Sequence, residues 1–115
     1  MKKPVFARIK PYPSNNINRL LQWLIACSAG GVNRGRIIQV LKEKPCSANR
    51  LTELLGFHGT TARFHLDVLE RNDLVTSKNG EHGKIYVISS FLEKNFCDFE
   101  EIWERMATSD KPPFY

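Results

Sequence analysis

The stretch that most constrains this chain runs from Ser47 to Asn72, where two helical patterns are separated by four residues. The first, ANRLTELL, sets Leu51, Leu54 and Leu55 toward a core, with Ser47 as N-cap and Gly56 where a left-handed C′ residue is wanted. The second runs from about Thr60 to Asn72 and repeats Ala62, Leu66 and Leu69 along one face. A helix of about two turns, a tight turn and then a longer helix is the helix-turn-helix arrangement.

The flanking segments extend it. Ile17, Leu20, Leu21, Leu24 and Ile25 recur at helical spacing after a cap at Ser14, Asn15 or Asn16, and the Gly30-Gly31 pair suits a helix stop. Asn33 is the expected cap of a second helix, RGRIIQVLKEK, with Ile37, Ile38 and Leu41 inward and Pro45 ending it. Beyond the longer helix come LVTSK, NGEHG and KIYVI, two β-rich runs around a turn expected to begin at Asn79-Gly80. The last helix opens with the pair Ser90 and Glu93, read as a capping box, and continues through Phe96, Phe99, Ile102, Trp103 and Met106. The predicted fold is mainly α with a small β-hairpin wing, a winged helix-turn-helix with additional N- and C-terminal helices. Its expected divisions are a basic arm over 1–13, a domain over 14–108 that includes the terminal helices, and a loose tail over 109–115.

Composition removes several classes. At 115 residues the chain holds one ordinary domain. Its longest apolar run, LLQWLIACSA from Leu20, is well short of the ~20 residues that span a bilayer, and no signal-peptide pattern opens it; we expect a cytoplasmic protein. Cys27, Cys46 and Cys97 are odd in number and widely spaced, so neither a disulfide framework nor a metal site is expected. Cys27 and Cys97, in apolar surroundings, read as small core residues. No Gly-rich phosphate loop, nucleophile motif, GxGxxG or HExxH is present, so we expect no catalytic site and no cofactor. The net charge is +5 and uneven: +4 over residues 1–13, +3 over 14–73 and −2 over 74–115. A basic front with an acidic tail helix suits a polyanion-binding domain with a separate end that does not bind.

The segment LTELLGFHGTTARFHLDVLERNDLV resembles the ArsR-type winged-helix regulators, whose pattern is a leucine-bearing helix, a glycine turn, a Thr-x-x-x-His-Leu-x-x-Leu helix and a Gly-Leu-Val lead into the wing. Thr61, His65, Leu66, Leu69 and Leu74-Val75 match that pattern, whereas Asp73 stands where glycine is usual, so that turn is expected to be tighter or differently capped. The wider match, over roughly residues 15–105, is similar to the compact archaeal members of the group. The resemblance implies a dimeric transcriptional regulator of double-stranded DNA. Metal sensing is common in the group, but its paired-cysteine motif is missing here, and an effector is left open.

The outward face of the longer helix is legible without the resemblance. With Ala62 at zero on a wheel of about 100° per residue, Leu66 and Leu69 fall beside it and His65 at the edge of the stripe. Thr60, Phe64, Asp67 and Arg71 fall opposite, flanked by Arg63. Its first turn is the part a major groove admits most deeply, so Thr60, Thr61, Arg63 and Phe64 are the candidates for base-edge contact. Arg63 suits a guanine and Phe64 a thymine methyl; Asp67 accepts from cytosine or pairs with Arg63 or Arg71. His65 reads as a semi-buried histidine fixing the turn rather than a metal ligand or pH sensor. Candidates for backbone or wing contact are Arg34, Arg36, Arg50, His58, Arg71, Lys78, Asn79, His82 and Lys84, with the wing over about 74–88 on the backbone or minor groove.

Leu20, Trp23, Leu24, Phe96, Phe99 and Trp103 are more apolar surface than a chain this short easily hides. They suggest a two-fold dimer through the terminal helices, setting two recognition helices about 34 Å apart. The arm residues Lys2, Lys3, Arg8 and Lys10 either track an adjacent groove or accompany Val5, Phe6 and Ile9 onto the partner subunit. The rival function is a winged helix used for protein–protein or RNA contact. Operator, direction of regulation and effector are not written in these residues.

Overall fold

The computed structural model describes residues 16–108; the expected arm and tail, and the candidate caps Ser14 and Asn15, lie outside the described residues. The chain enters through α1 (Asn16–Leu21), which widens into a π-helical turn at Gln22–Ala26, where the N–H of Cys27 reaches back to the carbonyl of Gln22 at 2.9 Å. Ile17, Leu21, Leu24 and Ile25 are buried, and Trp23 faces out. α2 (Gly31–Glu43) begins two residues before the Asn33 cap expected from sequence, with the N–H of Arg34 donating to the carbonyl of Gly30 at 3.0 Å. Gly31 opens this helix rather than stopping the previous one, and Ile37, Ile38 and Leu41 point inward as their spacing predicts.

α3 (Ala48–Leu55) carries both of its sequence-level end signals. Ser47 Oγ accepts from the N–H of Arg50 at 3.1 Å, and Gly56 adopts φ +76°, open to a residue without a Cβ. Leu51 is fully buried, but Leu54, expected inside, is 48% exposed because the short helix touches the body along one narrow line. α4 (Gly59–Arg71) follows and ends in a Schellman motif: the N–H of Asp73 meets the carbonyl of Glu70 at 3.0 Å, and the N–H of Leu74 meets that of Leu69 at 2.9 Å. Asp73 takes the left-handed position at φ +60°, so it performs the backbone task of the glycine it replaces.

Strands β1 (Val75–Gly80) and β2 (Gly83–Ile88) pair antiparallel, with Val75 opposite Ile88 and Gly80 opposite Gly83. The turn falls at Glu81-His82 rather than beginning at Asn79-Gly80: Asn79 stays in the ladder opposite Lys84, and Gly83 supplies the positive φ (+115°). Cys46 adds a one-residue bridge to Tyr86, exchanging both backbone hydrogen bonds (3.2 and 2.8 Å). The terminal helix is broken into α5 (Ser90–Lys94) and α6 (Phe96–Thr108). Its cap is Ser89, not Ser90; Ser89 Oγ accepts from the N–H of Leu92 at 3.0 Å and donates to the carbonyl of Asp73 at 2.7 Å, joining the end of the hairpin to its beginning.

One core joins these parts. Leu51 of α3, Leu66 and Leu69 of α4, Ile37 and Ile38 of α2, Val75 and Tyr86 of the hairpin, and Phe99 and Ile102 of α6 all belong to it. The order of α2, α3, α4 and hairpin, flanked by the terminal helices, is the winged helix expected from the sequence.

Candidate nucleic-acid interface

α4 is held by its back. Ala62, Leu66 and Leu69 are fully buried and His65 is 5% exposed, whereas Thr60, Arg63, Phe64, Asp67 and Arg71 are exposed and Thr61 is half-buried. Phe64 stands 59% exposed, its ring edge-on to His65 with centroids 5.3 Å apart. A large aromatic left in water on the first turns of a helix is the feature here that the core does not explain. Asp67 pairs with Arg71 one turn on, which chooses between the partners the sequence left open. The hairpin is tied to the same helix by Ser77 Oγ, which donates to Glu70 Oε2 at 2.8 Å, so wing and α4 keep a fixed relation.

The candidate backbone contacts divide into two groups. Lys78, Asn79, His82 and Lys84 are exposed along the hairpin, and His58 is exposed at the N-cap of α4. Arg50 is exposed but pairs with Glu53 at 3.1 Å, and Arg71 has Asp67. Exposed pairs of this kind are worth ~0–1 kcal/mol and give way readily to a phosphate. Arg36 and Arg34 face inward. The half-buried Arg36 donates to the carbonyl of Leu55 at 3.2 Å and lies over the Phe57 ring, 5.5 Å from its centroid, where it braces the α3–α4 turn.

Arg34 corrects the expectation of a phosphate contact: it is 6% exposed. Its Nε donates to the carbonyl of Leu24 at 3.0 Å, one Nη group reaches Ser28 Oγ, and the other meets His65 Nδ1 at 3.2 Å. The guanidinium has only donors, so His65 must accept at Nδ1 and carry its proton on Nε2. Burial pushes the His65 imidazole below its ordinary range, and the Arg34 charge adds to the push; burial likewise lowers Arg34. This polar node ties the end of the π turn, α2 and α4 together. His65 is thus a structural histidine, but it is buried and bonded to Arg34 behind α4 rather than to the α3–α4 turn, and that partner was not foreseen from the sequence.

The candidate dimer residues are mostly interior. Leu24, Phe96 and Phe99 are 4%, 8% and 0% exposed and belong to the core, which absorbs much of the apolar excess seen in the sequence. Trp103 is half-buried, stacked on Phe99 with centroids 5.6 Å apart, and Leu20 is half-buried. Trp23 remains, 64% exposed, with Val32 at 42%.

The cysteine reading reverses. Cys27 and Cys97 are exposed, and Cys46 is the buried one. Burial pushes the Cys46 thiol up, against the weaker opposite pull of Lys44 and Arg50. Among the described residues no group of three His, Cys, Asp or Glu side chains converges as a metal set, and no helix is long and apolar enough to cross a membrane.

Comparison with known proteins agrees with this geometry. A helix-turn-helix domain family matches residues 33–78, from within α2 to the middle of β1. No curated protein matches the chain in sequence. Among solved structures, M. tuberculosis Rv0081 is similar with a TM-score of 0.61 at 18% identity, covering 84% of this chain and 95% of that one. The B. subtilis transcriptional regulator YodB, in its reduced form, is similar with a TM-score of 0.57 at 18% identity, covering 86% and 97%. HlyU from Vibrio cholerae follows with 0.54 at 17% identity, covering 75% and 99%. At these identities the likeness is one of fold.

Proposed function

We propose that this chain is a transcription regulator of the ArsR type that binds double-stranded DNA with α4 in the major groove and the hairpin against the adjacent backbone or minor groove. The observation that carries the reading is the division of α4: Ala62, Leu66 and Leu69 sealed behind, Thr60 and Phe64 open in front. A helix offered this way, with hydroxyl and aromatic groups on its first turns, matches what base edges in a major groove present. Thr60, Thr61, Arg63 and Phe64 are the base-reading candidates, Arg63 through a guanine and Phe64 through a thymine methyl. The uneven charge supports the same reading, since the basic part contains α2 to α4 and the acidic part contains α6.

The binding unit in this proposal is a homodimer formed beside the π turn. Trp23 is its anchor, with Leu20 and the rim of Trp103, while Leu24, Phe96 and Phe99 support it from within. Two-fold symmetry then presents two α4 helices to successive major grooves, about one DNA turn apart.

Fluorescence anisotropy with a labelled mixed-sequence duplex at 50 and 200 mM salt tests the reading. Binding that weakens steeply with salt reports phosphate contacts, and a surviving preference for one duplex over another reports base readout. Absence of binding at both concentrations, or tighter binding to single-stranded RNA than to any duplex, would contradict it.

A further inference from the structure

The strongest unassigned feature lies beside α4 rather than on its front. The start of α3 and the tip of the wing border an open notch of about 220 Å³ against α4, with Arg63, His82, Lys84 and Tyr86 among its lining. A water takes about 30 Å³ of liquid, so the space admits a group several times larger. Arg63 folds back along its own helix: a Cβ built on Gly59 would lie 3.4 Å from its Nη2. Arg63 and Lys84 both line the notch, and neither has an ion-pair partner among the described residues. The α3 side of the notch is that helix's opening turn. Ser47 takes the N–H groups of Arg50 and Leu51 on its Oγ and carbonyl, which leaves those of Ala48 and Asn49 without an intrahelical acceptor.

We propose that this notch holds one phosphate of a DNA strand, with Arg63 as its main cation and Lys84 as its second. The inference rests on the DNA reading above and changes one assignment within it: Arg63 positions the strand instead of reading a guanine. Cationic residues from α4 and from the wing line one notch together with the opening turn of α3, and an anionic, tetrahedral, hydrogen-bond-accepting group is the ligand such a set fits. A phosphodiester drawn in here sets the register of α4 in the groove beside it.

The test uses the full chain and a duplex recovered by selection from random DNA. Arg63→Gln should weaken binding by one common factor on that duplex and on its single-base-pair variants. Loss of one phosphate contact makes the plot of log affinity against log salt shallower by about 0.9, which is about fivefold at 0.15 M. Lys84→Gln should do the same, and the double variant should lose less than the product of the two, because both act on one phosphate. A single neutral methylphosphonate at the contacted position should cost the wild type a similar factor and Arg63→Gln almost nothing further. Loss concentrated at one base pair, or an unchanged salt slope, overturns the proposal while leaving the DNA reading intact. If inorganic phosphate shifts the Ala48 and Asn49 amides while Arg63→Gln leaves duplex affinity unchanged, the notch belongs to free phosphate and the strand assignment fails. If the wild type binds no duplex, the DNA reading has failed first.

Discussion

Replacing Arg34 by methionine isolates the polar node behind α4. Methionine keeps most of the volume and removes every donor, so the substitution acts through hydrogen bonds rather than through a cavity. Leu24 keeps a partner, because Ser28 Oγ also donates to its carbonyl at 3.0 Å. His65 Nδ1 does not; it becomes a buried acceptor facing a thioether, at a cost of about 1–3 kcal/mol. Loss of the charge-assisted bonds to Leu24 and Ser28 adds roughly as much, and relief from burying a guanidinium offsets part of it. The net expectation is about 2–3 kcal/mol, a fall in the urea midpoint of about 0.7–3 M for a domain whose m-value is about 1–3 kcal/mol/M. The double variant Arg34→Met/His65→Leu should recover more than half of that loss, because Ser28 and Leu24 satisfy each other and no orphan remains. Urea unfolding followed by circular dichroism reads both variants. A single variant within 0.5 kcal/mol of the wild type (roughly the scatter of surface substitutions), or a double variant with strictly additive losses, would refute the role given to this node.

Further outcomes follow from the same structure. Because His65 is lowered by burial and by Arg34, the unfolded chain takes up this proton near pH 6.5 while the folded chain resists it. Stability should therefore be full above that pH, fall on acidification through the window below it, and fall less in Arg34→Met. Asp73→Gly should raise the thermal midpoint, since the left-handed position at φ +60° costs a residue with a Cβ about 1 kcal/mol; a lowered midpoint would count against the motif described. Gly35→Ala should cost about 1–3 kcal/mol and change the tryptophan emission, because the new Cβ would sit 2.0 Å from Trp103 Cζ3 and force the indole away. Trp23→Lys should leave the melting of the monomer nearly unchanged and halve the mass seen by light scattering; an unaltered dimer mass would move the interface elsewhere.

What the sequence made legible was local. Ser47 and Gly56 bracket α3 as predicted because a cap and a left-handed terminus are set by the residue itself. The Ala62, Leu66, Leu69 stripe of α4 held for a similar reason, since one helical period decides which side is in. Asp73 showed that a departure from a family pattern can preserve its backbone geometry. The larger departures are tertiary. Arg34 and His65 are 31 residues apart, and no local period announces a buried guanidinium. Trp103 looked surplus because its packing onto the bare backbone of Gly35 cannot be read from α6 alone, and Phe99 stacks on it from within the core. The hairpin tip moved to Glu81-His82 because Gly83, rather than Gly80, takes the positive φ. Cys27 and Cys97 sit among apolar neighbours in sequence yet on the outer side of their segments.

Amide chemical shifts of the labelled protein, recorded with and without a duplex, probe the exposed side of α4 directly. The largest changes should cluster at Thr60, Thr61 and Phe64 and along the hairpin near Lys84, while α6 from Glu100 to Arg105 stays still. Shifts confined to α6 and the surroundings of Trp23, with α4 silent, would contradict the DNA reading.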